Sequence, residues 1–161
     1  SLPNYTDSLQ VEQYDGTNWT EIADINTARN GQAAFQKGTT TAAMLSCGYT
    51  TTFVAITETF DGSSWTEVGD CNTARSPAGG FGTATDGVIV CGETPSVTAN
   101  VEEWDGTSWT ETTNIPAATQ SIEGAGTSST GIAYGGATAT ARVAETYEWE
   151  QAITASSFTS S

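Results

Sequence analysis

An eight-residue segment occurs three times in this chain at nearly constant spacing. It reads YDGTNWTE at residues 14–21, FDGSSWTE at 60–67 and WDGTSWTE at 104–111. The aromatic residue that opens each copy recurs after 46 and then 44 residues, and Tyr147 in VAETYEWE follows 43 residues later. A period of 43 to 46 residues is the size of one four-stranded β-propeller blade. The repeat therefore predicts an all-β chain built of such blades.

Other residues keep fixed distances from these aromatic anchors. A glutamate precedes every anchor by two residues, a tryptophan follows the first three by five, and a glycine precedes the last three by twelve. An arginine follows the first two by fifteen residues, where the third copy has Thr119. The predicted repeat framework is Glu12, Tyr14, Trp19, Arg29, Gly48, Glu58, Phe60, Trp65, Arg75, Gly92, Glu102, Trp104, Trp109, Gly135, Glu145 and Tyr147. A glutamate repeated in every blade indicates architecture rather than catalysis, and we expect it to pair with Arg29 or Arg75, since a buried carboxylate requires a charged partner.

Each unit contains the signals of four strands. GGFGTA (79–84) predicts a first strand of small residues, and DGVIVCG (86–92) predicts a second that is buried on both faces. VEEWDGTSWTET predicts a hairpin, because a tight Asp-Gly turn needs the positive φ that Gly adopts freely and Asp tolerates. The predicted division of propeller residues 1–150 is an outer hairpin at 8–26, blades at 27–71 and 73–115, and a partial blade at 117–150, followed by a Ser/Thr-rich tail at 151–161.

These units resemble the kelch-type β-propeller repeat. VEQYDGTNWTE, TETFDGSSWTE and VEEWDGTSWTE match its Val-Glu-x-Tyr-Asp strand, its turn and its Trp. The family's Gly-Gly doublet is present as Gly135-Gly136, and the other copies have Gly48-Tyr49 and Gly92-Glu93. With their NTAR and WTE segments, the units are most similar to kelch-like structural proteins of tailed bacteriophages, especially those of marine bacteria. This resemblance implies a virion component such as a fibre, a decoration or a tail part.

The predicted strands number thirteen, a little over three blades, whereas propellers typically have four to eight. Three arrangements follow: an incomplete piece of a longer propeller, a ring completed by other chains, or an open stack capped by the tail. Ile153 and Phe158 in the tail suit an added edge strand, here or on a neighbouring subunit. A disordered polar tail is the alternative.

The residue types in the chain argue against most catalytic chemistry. Histidine is absent, so no Ser-His or Cys-His nucleophile pair can form. The net charge of −15 repels phosphate backbones and anionic membranes. No apolar run approaches the roughly 20 residues that span a bilayer. We therefore predict a protein that is not an enzyme, has no cofactor, binds no nucleic acid and does not insert into membranes.

The turn aspartates do not predict a metal site. Asp15, Asp61 and Asp105 occupy the first turn position of each hairpin, where the turn itself favours Asp. No D-x-D-x-D-G calcium loop occurs in the sequence. We therefore expect these carboxylates to serve the turns.

The three cysteines predict no disulfide framework. Cys71 stands at the repeat position of Ile25 and Ile115, so we expect a small buried apolar residue. Cys47 and Cys91 share a position in neighbouring blades, too far apart for easy bridging, and the third copy has Tyr134 there.

The functional prediction rests on the loops between second and third strands, which differ between copies while the framework repeats. These loops are 49–56, 93–100 and 136–142. We predict a structural or interaction module on a virion or extracellular surface, whose partners are other virion or surface subunits or further copies of itself. The alternatives are a glycan-binding adhesin of a bacterial surface protein and a fragment of a propeller enzyme. The candidate contact residues are Tyr49 and Tyr134, exposed aromatics suited to host glycans, and Arg142, a loop residue outside the repeat positions.

Overall fold

The computed structural model describes residues 8–35 and 37–151, which form short antiparallel strands in sheets of two, four, four and three. The strands are β1 (Glu12–Tyr14), β2 (Trp19–Glu21), β3 (Ala33–Ala34), β4 (Ala43–Ser46), β5 (Thr57–Phe60), β6 (Trp65–Glu67), β7 (Gly79–Thr83), β8 (Asp86–Val90), β9 (Val101–Trp104), β10 (Trp109–Glu111), β11 (Glu123–Gly126), β12 (Thr130–Tyr134) and β13 (Thr146–Glu150). Within these ranges no helix is long and apolar enough to cross a bilayer. The tail residues Ile153 and Phe158 lie outside the described residues.

Each sheet is a meander in which hydrogen-bonded neighbours follow one another in the chain. The sheets β3 to β6 and β7 to β10 are complete four-stranded blades. Within residues 8–35 and 37–151, the sheet β11 to β13 has three strands, and β1 and β2 form a separate outer hairpin. The architecture is therefore all-β and propeller-like, as the repeat predicts. The sheets within the described ranges do not close a ring.

Successive blades stack through a phenylalanine that lies directly after the first strand in one blade and within it in the next. Phe35 packs over Gly87 of the next blade, where an added Cβ would lie 2.7 Å from the ring. Phe81 packs in the same way over Gly131, where that distance would be 2.6 Å. Glycine is required at both positions because the ring of the preceding blade occupies the space of a side chain. This contact also shows which residues of successive blades are equivalent.

The last blade is shifted by two residues from the sequence-based alignment. Trp104 pairs with Gly87, and Trp149 pairs with Gly131, which is the equivalent glycine. The Nε1 atoms of Trp104 and Trp149 donate to backbone carbonyls at equivalent turns, at 3.0 and 2.6 Å. Trp149, not Tyr147, is thus the counterpart of the other aromatic anchors, and the prediction for Tyr147 is wrong.

The same shift removes Glu145 from the framework. Tyr147 occupies the position of Glu58 and Glu102, whereas the Glu145 side chain is exposed and its carbonyl accepts a bond from Gly135 N at 3.0 Å. The shift arises because the loop between β12 and β13 is longer than the corresponding loops of the other blades. Ala137 bridges Arg142 in the last blade, five residues on, whereas the corresponding bridges in the other blades join residues four apart.

The Gly-Gly doublet also has a different register from the predicted one. Cys47, Cys91 and Gly135 are equivalent, with φ of 59°, 59° and 71°. The doublet positions are therefore Cys47-Gly48 and Cys91-Gly92, so the assignment of Gly135 was one residue off. Tyr134 does not share the cysteine position, because it lies within β12 opposite Thr146.

Candidate functional site

A buried glutamate joins each complete blade to the segment that precedes it. Glu58 accepts hydrogen bonds from Asn26, from the backbone N at 2.6 Å and from Nδ2 at 2.8 Å. Its Oε1 lies 2.5 Å from Nη1 of Arg29, with both side chains fully buried. Burial acts to raise the pKa of Glu58, but the Asn26 bonds and the Arg29 charge outweigh it and hold that pKa below its usual value.

The next blade repeats this arrangement. Glu102 accepts bonds from the backbone N of Asn72 at 2.6 Å and from its Nδ2 at 2.9 Å, and it forms an ion pair with Arg75. Arg75 Nη1 also donates to the carbonyl of Asn100 at 2.8 Å. The expected pairing of the repeated glutamates with arginines is therefore present at both interfaces, and its role is architectural.

The third interface replaces all three polar residues at once. Pro116, Thr119 and Tyr147 stand where the other interfaces have Asn, Arg and Glu. Tyr147, Trp149 and Ile115 pack against the adjacent apolar cluster, and Thr119 is buried with its hydroxyl bonded to the Ala117 carbonyl at 2.9 Å. Joint replacement indicates that the Asn, Arg and Glu side chains act as one unit.

The fourth strand of each complete blade packs a tryptophan against the segment that enters the blade. Trp65 Nε1 donates to the Ala23 carbonyl at 3.0 Å, and its ring centroid lies 5.2 Å from that of Phe60. Trp109 packs in the same way on Trp104, with ring centroids 5.3 Å apart, but its Nε1 donates to Thr57 Oγ1 of the preceding blade at 3.1 Å. We call this position the tryptophan site.

In the last blade the corresponding space is an open groove of about 990 Å³. Its walls are β13 and residues 112–116, the counterpart of 22–26 and 68–72 in the other blades. Glu103 and Gln151 complete the lining and are joined by a hydrogen bond of 2.9 Å. We call this space the β13 groove. The sequence alone does not predict this groove, because the repeat spacing takes Tyr147 rather than Trp149 as the aromatic anchor of the last blade.

The predicted contact residues occupy separate positions. Tyr49 is exposed, pairs with Asn30 through its backbone and places its ring 5.3 Å from that of Phe53. Tyr134 is exposed on β12. Glycan binding through these tyrosines stays a prediction.

The prediction that Arg142 lies outside the repeat positions is wrong. Its bridge to Ala137 places it where the other blades have Phe53 and Val97. Its side chain is exposed, and the two ion pairs found within 8–35 and 37–151 do not include it.

The turn aspartates use their carboxylates within the hairpins. Asp61 Oδ1 accepts bonds from Ser63 N at 2.8 Å and Ser64 N at 2.9 Å, and Asp15 and Asp105 do the same in their turns. These bonds lower the pKa of all three carboxyls. The turn accounts for the aspartates.

Two of the cysteines are bonded, which corrects the expectation that none would be. Cys47 and Cys71 form a disulfide inside the apolar cluster between the two complete blades, with Cα atoms 6.9 Å apart. The bridge is local, since both residues belong to one repeat. Cys91, the counterpart of Cys47, is buried in the next apolar cluster, and it is free because Ile115 stands at the position of Cys71. Burial raises the pKa of the Cys91 thiol.

No protein-family model matches the chain, and no curated protein does. Among solved structures, the chain is similar to the structure of YjhT, with a TM-score of 0.71 and 11% sequence identity. The match covers 87% of this chain and 48% of YjhT, so this chain spans about half of that propeller-like protein. At this identity the likeness shows the fold alone.

Proposed function

We propose that the chain is a non-enzymatic structural and interaction module that packs end to end against further blades. The observation that carries this proposal is a difference in exposure at one repeat position. Met44 and Val88 are 1% and 0% exposed because the next blade covers them, whereas their counterpart Ile132 is 40% exposed. The outer face of the last sheet thus exposes Ile132 at a position that the next blade covers elsewhere, beside the exposed Glu123, Glu148 and Glu150. Within the described residues no blade lies on this face.

The other end of the stack supports the same proposal. Trp19 is 66% exposed, whereas its counterparts Trp65 and Trp109 are 9% and 6% exposed. The hairpin that carries Trp19 pairs with no inner strands among the described residues. Both ends therefore expose apolar side chains whose counterparts are buried in the interior blades.

The proposed setting is a virion or extracellular surface, where the further blades belong to other virion or surface subunits or to copies of this chain. The kelch-type and bacteriophage resemblance of the WTE and NTAR units supports this setting. Stacked blades also bury apolar faces that a single blade leaves exposed.

Sedimentation velocity of the 161-residue chain over a range of concentrations tests the proposal. We expect association that rises with concentration and is abolished by Ile132→Asp, which places a charge on the end face. Tyr49→Asp is the matched control, because Tyr49 is similarly exposed but lies in a loop, and it should leave association unchanged. A parent chain that stays monomeric, or an Ile132→Asp variant that associates normally, would contradict the proposal.

A further inference from the structure

The outer edge of β13 has backbone groups that a further strand would satisfy. In the complete blades, the carbonyls of Thr57 and Val101 accept bonds from Val68 N and Thr112 N, at 2.9 and 3.0 Å. The equivalent residue of β13 is Thr146, because each of the three pairs with the last residue of the second strand. Alternate residues of a strand bond to the same side.

In β13 the outward-facing residues are therefore Thr146, Glu148 and Glu150. No strand within the described ranges pairs with this side. Unpaired strand edges are the usual template for addition of a foreign strand.

The β13 groove also has the form of a tryptophan site without its tryptophan. Trp149 is the counterpart of Phe60 and Trp104, the aromatic residues that contact Trp65 and Trp109. In the sequence, Trp65 and Trp109 follow Phe60 and Trp104 by five residues, and the residue five positions after Trp149 is Thr154, which lies outside the described residues. A threonine does not supply the aromatic ring that this site accommodates in the other blades.

Charge indicates the kind of strand that fits. Glu103, Glu148 and Glu150 line the groove, and no basic residue does. A second copy pairing through its own β13 would bring these carboxylates close to one another, and like charges on paired strands are destabilising. Basic residues on an incoming strand would instead face carboxylates.

The register of β9 with β10 sets the expected sequence. Trp109 lies opposite Trp104, and Thr110 lies opposite Glu103. An added strand with its aromatic residue opposite Trp149 would place the following residue opposite Glu148 and the preceding one near Glu150. We propose that the β13 groove binds, as an added fourth strand, an extended segment of a partner protein with the order basic, aromatic, basic.

This inference goes beyond the proposed function and concerns the edge of the sheet rather than its face. The two surfaces adjoin, because Glu148 of the groove pairs with Ile132 across β12 and β13, but Ile132 itself does not line the β13 groove. A chain that stays monomeric in sedimentation could still bind the peptide, so failure of one proposal is distinguishable from failure of the other.

Fluorescence anisotropy with a labelled TKWKTT peptide tests the proposal on the full chain. We expect saturable binding that is at least tenfold weaker for TKAKTT, which lacks the ring, and for TEWETT, which reverses the charge. A parent chain that does not bind TKWKTT, or binds TKAKTT equally well, would overturn the proposal.

Two matched variants separate strand addition from simple charge attraction. Glu148→Pro removes the outward N–H, which an edge strand tolerates, and Glu148→Thr removes the same charge but keeps the N–H. We expect at least tenfold weaker binding for Glu148→Pro than for Glu148→Thr. Equal binding by the two variants would contradict strand addition.

If the proline variant does not fold, a peptide with the second lysine N-methylated makes the same test on the parent chain, and undiminished binding would count against the proposal. Self-association of the parent that Glu148→Pro abolishes would show that a second copy is the occupant and would also overturn it.

Discussion

Glu58 and Arg29 form a fully buried ion pair of 2.5 Å between a strand and the segment that enters the same blade. Asn26 on that segment adds two hydrogen bonds to the same carboxylate. The interface before the last blade replaces all three residues with Pro116, Thr119 and Tyr147. The chain thus contains a polar and a mainly apolar set of residues at equivalent interfaces, and substitution can exchange one set for the other.

Breaking this pair should cost more than replacing it. Arg29→Thr leaves the Glu58 carboxylate buried without its cation, and we expect a loss of about 3–5 kcal/mol in the free energy of unfolding. The triple change Asn26→Pro, Arg29→Thr, Glu58→Tyr should recover most of this loss, because no unpaired charge remains. Urea unfolding measures both. Arg142→Thr is the exposed control and should have little effect, and a triple variant less stable than Arg29→Thr would contradict the idea of a replaceable unit.

Tryptophans at the same position of the WTE motif should contribute different amounts to the free energy of unfolding. Trp65→Ala creates a cavity in a packed interface and should cost about 3–5 kcal/mol. Trp19→Ala removes a mostly exposed ring and should cost less than about 1 kcal/mol. Thermal or urea unfolding of the two variants checks this, and equal losses would mean that Trp19 is buried in solution, for example by a neighbouring subunit.

Stability should fall at acidic pH through carboxylates whose pKa is depressed in the folded state. The pKa of Glu58 is lowered because hydrogen bonds from Asn26 and the charge of Arg29 outweigh the effect of burial. A depressed pKa contributes stability above the unfolded value of about 4.3, and this contribution is lost as pH falls through the folded pKa. Urea midpoints should therefore be level near pH 6 and decrease below about pH 4. Glu58→Gln should be less stable at neutral pH and show a shallower decrease, whereas an unchanged slope would assign the acid sensitivity to other groups.

Thiol labelling should distinguish the bonded cysteines from the free one. In denaturant without reductant, only Cys91 should react with iodoacetamide, because Cys47 and Cys71 form a disulfide. Cys71→Ile reproduces the residue present at position 115 of the next repeat, and it should raise the count to two labels under the same conditions. Intact mass spectrometry reads both counts. Three labels on the denatured, unreduced parent would show that the bridge does not form.

The sequence by itself determined the blade hairpins and their order. Asp61 and Gly62 form a turn whose geometry depends on residues in direct succession. The Asp61 carboxylate accepts hydrogen bonds from the backbone N–H groups of Ser63 and Ser64, and Gly62 has a φ of 97°. Such a turn can be predicted from the sequence wherever its residues recur. The pairing of Glu58 with Arg29 was also predictable, because both residues repeat with the same offset.

The tertiary structure alone decided the register of the last blade and everything that depends on it. Trp149 takes the anchor position because Gly131 on the strand beside it lies under Phe81 of the preceding blade, a contact between distant parts of the chain. The extra residue in the loop before β13 hides this equivalence from a fixed spacing. The disulfide between Cys47 and Cys71 and the β13 groove depend in the same way on how segments pack together, which no local pattern records.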